Sequence, residues 1–260
     1  MIDFHTHAFP DALAERAVRY LAAEGGIYSY LPGTVSGIVA SMDRAGIERS
    51  VVALIATRPQ QFDSIFAWAK TIASPRIVPF PSIHPADPDL AGRVRQVAEA
   101  GFRGVKLHPY YQDCVLDEQR LFPLYAALER AGLVALVHAG FDMAYERVRV
   151  ADPARIARVM GLFPGLKLVA AHLGAWKDWG EVRKHILGKP ICMDLSYSLD
   201  FMSREEAREL ILGHPRECLV FGTDSPWADP GKVLAQVRGL GLDAELEADI
   251  LGRNAARLLG

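Results

Sequence analysis

The 260-residue chain is half hydrophobic and 23% charged, with a formal net charge of −2, which suits one large buried core and offers no long-range attraction to phosphate backbones or anionic lipid. No basic leader precedes an apolar run and no apolar stretch approaches the ~20 residues that span a bilayer, so the expectation is a cytoplasmic protein of one domain, residues 1–260, that binds neither nucleic acid nor membrane. Three cysteines, Cys114, Cys192 and Cys218, are odd in number and lack C-x-x-C spacing, which argues against a disulfide framework and a cysteine zinc site.

Short apolar, β-branched runs bounded by turn residues predict the strands. Ile2–Phe4 comes first, followed by the least regular stretch of the chain, Phe9 to Gly33, read as an irregular lid or pocket wall. Strands over Ser50–Ala56 and Ile77–Ile83 follow, and then DPDLAGRVRQVAEAG, in which Leu90, Val94, Val97 and Ala98 share one helical face. After a strand at Phe102–Leu107, DEQRLFPLYAALERAG does the same with Leu121, Leu124, Tyr125 and Leu128. Val134–His138, Leu166–Ala171, Ile191–Leu195 and Leu219–Gly222 complete a set of eight; Cys192 and Cys218 lie in apolar strand-like stretches and read as buried fillers.

Helix starts are marked by Asp87-Pro88, Asp152-Pro153 and Asp229-Pro230 and by a capping box of Ser203 with Glu206. Gly46, Gly101, Gly132 and Gly213 stand where the helical period ends, ready for left-handed C-caps. Strand–helix alternation eight times over, in a chain of this length, points to a closed (β/α)8 TIM barrel, with an open doubly wound sheet as the alternative.

Position then makes the histidines informative. His5, His7, His84, His108, His138 and His172 stand at or just beyond the C-terminal end of a predicted strand, where such a barrel builds its active site. His185 and His214 fall late in helical patterns and read as surface or C-terminal capping residues. In the extended segment DFHTHAF, a period of two sends His5 and His7 to the same face, so two imidazoles can share one cation. His138, His172 and Asp224 end further apolar strands and converge on the same mouth. A buried carboxylate beside neutral imidazoles is costly, and a divalent cation removes that cost. Three nitrogens, one carboxylate oxygen and an open position make a catalytic zinc site rather than a closed structural one.

Lys106 shares strand parity with His108 and points inward. It can be carbamylated and bridge two metals, bind a substrate anion at a distance, or pair with a carboxylate inside the barrel; the last two together are the favoured expectation. His84 and His108, each before a proline, either hydrogen-bond to loop backbone or bind substrate. Arg58 is placed to clamp a carboxylate or to lie solvated on its loop. Tyr110, Tyr111, Phe141, Trp176, Tyr197 and Trp227 follow strand ends and supply aromatic pocket walls.

Taken together, DFHTHAF, GFRGVKLHP, VHAG, AHLGAW, FGTDSPW and the closing GRNAARLLG resemble the amidohydrolase superfamily over nearly the whole chain. The resemblance is to the amidohydrolase-related branch that includes aminocarboxymuconate-semialdehyde decarboxylase, resorcylate decarboxylases and pyrone-dicarboxylate lactonase. It implies one zinc on His5, His7, His138 and Asp224, with His172 as a catalytic acid–base or water-orienting residue. In dinuclear relatives the equivalent of His172 instead holds a second metal beside a carbamylated strand-four lysine, here Lys106. Asn254 resembles a structural position, and homo-oligomerisation is implied by the family alone.

The leading expectation is hydrolysis of a small-molecule amide, lactone or ester by a metal-activated water, with Asp224 or His172 moving protons. Non-oxidative decarboxylation of an unsaturated or aromatic acid would use the same ligands, with Arg58 and Lys106 as the cations for an acidic substrate. A non-catalytic metal-binding barrel is the third reading, and nothing in it accounts for an inward Asp224 and His172 beside an open metal position.

Overall fold

The computed structural model describes residues 1–260. β1 (Ile2–Thr6) is followed by α1 (Asp11–Gly25) and α2 (Val35–Ala45), then β2 (Arg49–Ala53), α3 (Phe62–Ile72), β3 (Ile77–Phe80), α4 (Leu90–Glu99) and β4 (Gly104–Leu107). The chain continues through α5 (Phe122–Ala131), β5 (Val134–Val137), α6 (Pro153–Leu162), β6 (Lys167–Ala170), α7 (Trp179–His185), β7 (Cys192–Asp194), α8 (Arg204–Leu212) and β8 (Leu219–Val220). It closes on α9 (Pro230–Gly239), α10 (Ala244–Ala248), a π-turn at Asp249–Arg253 and α11 (Asn254–Leu259). No helix is long and apolar enough to cross a membrane.

All strand pairs are parallel, in two arcs ordered β1-β2-β3 and β4-β5-β6-β7-β8. Two seams join them. At β3/β4, Ser82 bridges Lys106, and the Lys106 amide donates to Pro81 O at 2.9 Å. At β8/β1, Thr6 bridges Ser225, Phe4 N donates to Phe221 O at 2.8 Å and Asp224 N to His5 O at 2.8 Å. The result is a (β/α)8 barrel.

The core divides as that architecture requires. A cluster of 53 buried residues fills the layer between strands and helices, with Val105, Leu107, Ala135 and Val137 among its strand members. A smaller one of 12 fills the barrel interior around Phe4, Phe80, Val134, Leu136, Val169 and Val220, and Ala255 and Leu259 of α11 join it from below. Val105 and Leu107 therefore face the helices, which turns Lys106 inward as its parity predicts. β1 departs from simple alternation: its register against β2 shifts between Asp3 and Thr6, so Phe4 enters the inner cluster and His5 and His7 still reach the barrel mouth. Asn254 is buried and donates to the carbonyls of Arg216 and Leu219, each at 2.7 Å, a structural role.

Several local expectations change. Phe9 to Gly33 is not irregular, because α1 takes up its centre. Only Ala14 and Val18 of that helix are buried while Leu13 and Leu21 line a cavity, so no core-facing stripe marks it in the sequence. Asp152, Ser203 and Asp229 cap their helices, but α4 is capped by Asp89, whose carboxylate accepts from Gly92 N; Asp87 instead binds the Arg93 guanidinium. Gly46, Gly101 and Gly132 are left-handed, whereas Gly213, at φ −82°, is not. The predicted strands over 50–56 and 77–83 stop at Ala53 and Phe80, where the chain leaves the ladder to build the mouth. All three cysteines are free, Cys218 buried and Cys192 half-buried.

Candidate metal centre and its cavity

Four imidazoles ring the barrel mouth, and each spends one nitrogen on an acceptor behind it. His5 Nδ1 faces Asp194 Oδ2 at 2.8 Å, His7 Nδ1 faces Ala53 O at 2.8 Å, His172 Nδ1 faces Ser196 O at 3.0 Å and His138 Nε2 faces Phe141 O at 3.2 Å. Carboxylate and carbonyl oxygens only accept, so each of these nitrogens carries the ring proton. The other four nitrogens are lone pairs, and they point at further acceptors. His7 Nε2 lies 3.0 Å and His5 Nε2 3.4 Å from Asp224 Oδ1, while His172 Nε2 lies 3.1 Å from His138 Nδ1. Lone pairs facing lone pairs at these distances repel unless a cation lies between them. The single donor among them is Lys106, whose Nζ donates to His5 Nε2 at 2.9 Å.

This donor set fits a divalent cation. One nitrogen each from His5 and His7 and one oxygen from Asp224 lie within 4.8 Å of one another, and all three residues are buried. The hydrogen bonds behind them fix ring orientation and tautomer, as outer partners of metal-ligating histidines do. His138, expected as the fourth ligand, does not fall within that trio. It turns Nδ1 toward His172 and groups with His108 and Asp142, three residues that also offer ligand atoms within 4.8 Å.

Burial sets the protonation states. It pushes His5 down to about 4, with the nearby Lys106 charge adding to the effect, and it lowers His108 and His138 well below the usual range for histidine. These rings are therefore neutral at pH 7 and free to ligate. Lys106 is fully buried and lowered to about 8 by desolvation, against the pull of Asp224, Asp194 and Asp142. No carboxylate closes on it as an ion pair: the carboxylate partner expected for Lys106 is replaced by the His5 ring. Burial alone would raise the carboxyl of Asp194; the adjacent His5 ring, whose Nδ1–H donates to Oδ2, and the Ser196 hydroxyl outweigh it and hold it at about 2.

The backbone is strained where these groups are presented. His172, Tyr197 and Asp224 adopt positive φ angles of 63°, 46° and 66°, each just beyond the end of a strand. Such conformations cost of order 1–3 kcal/mol each and persist where the surroundings over-determine them.

Above the floor opens a cavity of about 450 Å³. Five of the six expected aromatics line it; Tyr110 instead packs behind the wall, with its hydroxyl donating to Val148 O at 2.6 Å. Phe9, Leu13 and Ile27, from the segment expected as a pocket wall, and Trp68, which no sequence signal marks, complete the apolar sides. Arg58 is exposed and does not reach the cavity, because its peptide N–H is tied to Gln61 at the start of a short 3₁₀ turn. His84 serves loop backbone, its Nδ1 accepting from Ala86 N at 3.1 Å, while His108 does line the cavity. His214 is buried rather than superficial, and its Nε2 donates to Ile191 O at 2.8 Å; His185 lies at a helix end beside Glu181. Asp142 and Ser196 carry no mark in the sequence, whereas Asp194 does, as a lone carboxylate closing the otherwise apolar seventh strand.

The amidohydrolase family model matches residues 2–260. The chain belongs to the amidohydrolase family. This amidohydrolase is similar in fold to an uncharacterised TIM-barrel protein from Bordetella bronchiseptica, at 20% identity and a TM-score of 0.77 over 100% of this chain and 98% of that one. It is also similar to 5-carboxyvanillate decarboxylase from Novosphingobium aromaticivorans, solved with bound manganese and a nitrobenzoic acid, at 13% identity and a TM-score of 0.74 over 99% and 96%. A third match is a candidate 2-pyrone-4,6-dicarboxylic acid hydrolase from Pseudomonas putida, at 17% identity and a TM-score of 0.69 over 100% and 97%. No curated protein matches this amidohydrolase.

Proposed function

We propose that the chain is a single-domain, metal-dependent hydrolase of a small-molecule amide, lactone or ester, and that His5, His7, His138 and Asp224 hold one zinc ion. The observation that carries this reading is the floor itself, where four outward-braced imidazoles and a carboxylate turn their unprotonated atoms on one another with a single lysine as donor. A divalent cation bound there supplies Lewis acidity toward a carbonyl oxygen and makes a nearby water more acidic.

The protein's own groups do the rest. Asp224 Oδ1 shares its space with the His5 and His7 lone pairs and is the oxygen placed to ligate, whereas Oδ2 has no hydrogen-bond partner in the protein and can take the proton of an attacking water and return it to the leaving group. His172, braced by Ser196 and by its own amide donating to Asp194 at 2.9 Å, orients that water or shares the proton. The aromatic sides hold the substrate and keep bulk water out.

A second reading is non-oxidative decarboxylation, favoured by the flat aromatic walls with Lys106 at their base, and carried out by two of the fold's solved neighbours under the names 5-carboxyvanillate and 2,6-dihydroxybenzoate decarboxylase. Hydrolysis is preferred because Arg58, the second cation an acidic substrate would need, lies outside the cavity. The test is to assay zinc-loaded protein on lactone, ester and amide panels beside carbon dioxide release from ortho-hydroxybenzoates. We expect hydrolysis, with Asp224→Asn lowering kcat by about 10²–10⁴-fold; release of carbon dioxide with no hydrolysis would overturn it.

A further inference from the structure

The cavity wall above the floor carries charge at one place. Apart from Lys106 and Asp224, Asp142 is the only charged side chain that lines it. Asp142 follows β5, and its Oδ1 accepts from Ala144 N at 2.8 Å, a local turn bond that fixes the carboxylate. Its Oδ2 makes no hydrogen bond within the protein. His108 Nε2 stands 3.5 Å from that oxygen and is likewise without a hydrogen bond, while His138 Nε2 stands 3.8 Å away. The His108 ring cannot swing to improve the contact, being stacked on His138 at 4.1 Å and braced edge-on by Tyr111 at 4.4 Å. Its Nδ1 is sealed without a partner. A carboxylate with 12% side-chain exposure thus keeps one oxygen free in an aromatic wall, beside an equally unengaged imidazole nitrogen.

We propose that Asp142, with His108 beside it, selects substrates that carry an organic ammonium or comparable N–H-rich cation next to the reacting carbonyl. Two observations fix the sign of the ligand. Asp142 Oδ2 is an acceptor without a hydrogen bond, held in place by the turn bond on Oδ1. Among the residues that line the cavity the one cation is Lys106 on the floor, already engaged with His5, so a carboxylate-bearing substrate portion would be repelled at Asp142. The His138 ring stands between the two, its Nε2 3.8 Å from Asp142 Oδ2 and its Nδ1 3.1 Å from His172 Nε2, so ammonium and carbonyl belong to one small molecule. The proposal rests on the hydrolytic reading only for the identity of the reacting group; the preference for a cation is a matter of binding.

The test therefore reads binding rather than turnover. Calorimetry on the metal-loaded protein compares 2-phenylethylammonium with its neutral counterpart 2-phenylethanol. The ammonium is expected to bind at least about 10-fold tighter, as a charge-assisted hydrogen bond in a sheltered wall implies, with Asp142→Asn erasing that advantage and leaving the alcohol within about 2-fold. His108→Gln should erase part of it. Equal affinities in the unmodified protein overturn the proposal without need of a variant. So does an Asp142→Asn protein of unchanged thermal midpoint that keeps the preference, and so does loss in that variant of a second metal equivalent present in the parent, which would make His108, His138 and Asp142 a metal site. Hydrolysis can fail on every panel while the ammonium preference stands, and the reverse, so the two failures are distinguishable.

Discussion

At Asp194 a fully buried carboxylate accepts from the His5 ring at 2.8 Å, from the amides of His172 and Ser196 at 2.9 Å each, and from the Ser196 hydroxyl. It thereby orients two of the four imidazoles without touching the cavity. Asp194→Asn presents an amide that can no longer accept at every position, and the His5 ring loses the partner that sets its tautomer. Metal affinity is expected to fall about 10–100-fold with little change in fold, which competition against a chromophoric chelator will measure. His214 offers a residue-scale test remote from the site. Burial lowers its pKa below the usual histidine value of 6.5, since its ring is enclosed with Nε2 on Ile191 O and Nδ1 unpartnered. A depressed folded pKa contributes stability that is whole above the unfolded value and is lost as pH falls from 6.5 toward the folded one. His214→Gln should flatten the decline of the urea midpoint between about pH 6.5 and 5 relative to the parent; an unchanged slope would count against it. The residues legible in sequence were those ending apolar runs, His5, His7, His138, His172 and Asp224. Asp142 and Asp194 were not singled out, because what makes each matter is a partner far along the chain.

Among the elements, the loop after β5 is the most tightly constrained. Gly140 has φ of 87°, its amide donates to Ala151 O at 2.9 Å, and a Cβ there would come within 2.2 Å of the Trp176 backbone nitrogen. Gly140→Ala must therefore adopt a disfavoured backbone and also push two strand-end loops apart. We expect a loss of at least about 2 kcal/mol in urea unfolding, and a weaker metal site through the displaced His138. The strands were readable because buried parallel strands are nearly continuous apolar runs, and helices α4 and α5 because their apolar faces meet the sheet. α1 escaped for the converse reason: its leucines face a cavity rather than the core, so its pattern carries no stripe. The strand ends were overextended for a related reason, since the mouth is as apolar as the ladder beneath it.

For the whole molecule, the barrel followed from eight alternations in a chain of suitable length, and nothing in composition disturbed it. What composition could not convey was the cavity, whose walls come from loops and from α1, assembled only once the barrel closes. Because the floor donors exist as a set only in the fold, metal that binds there stabilises the native state by mass action. At free zinc 100-fold above its dissociation constant the gain is about 2.7 kcal/mol, or a rise of about 5–10 °C in Tm for a domain of this size. A calorimetric scan with zinc and with chelator checks this, and coincident transitions would remove the metal from the account.

The two seams give that stabilisation a direction. His5 and His7 belong to the three-stranded arc, while Asp224, His138 and His172 belong to the five-stranded one, and Asp224 meets the first pair across the β8/β1 join. An ion shared by His5, His7 and Asp224 is thus a rivet through the hoop at the place where its two segments overlap. Its removal should loosen that joint before it loosens any helix. In deuterium exchange, the amides of Phe4, His7 and Asp224, which cross the seam, should open earlier on chelation than those within β5 and β6.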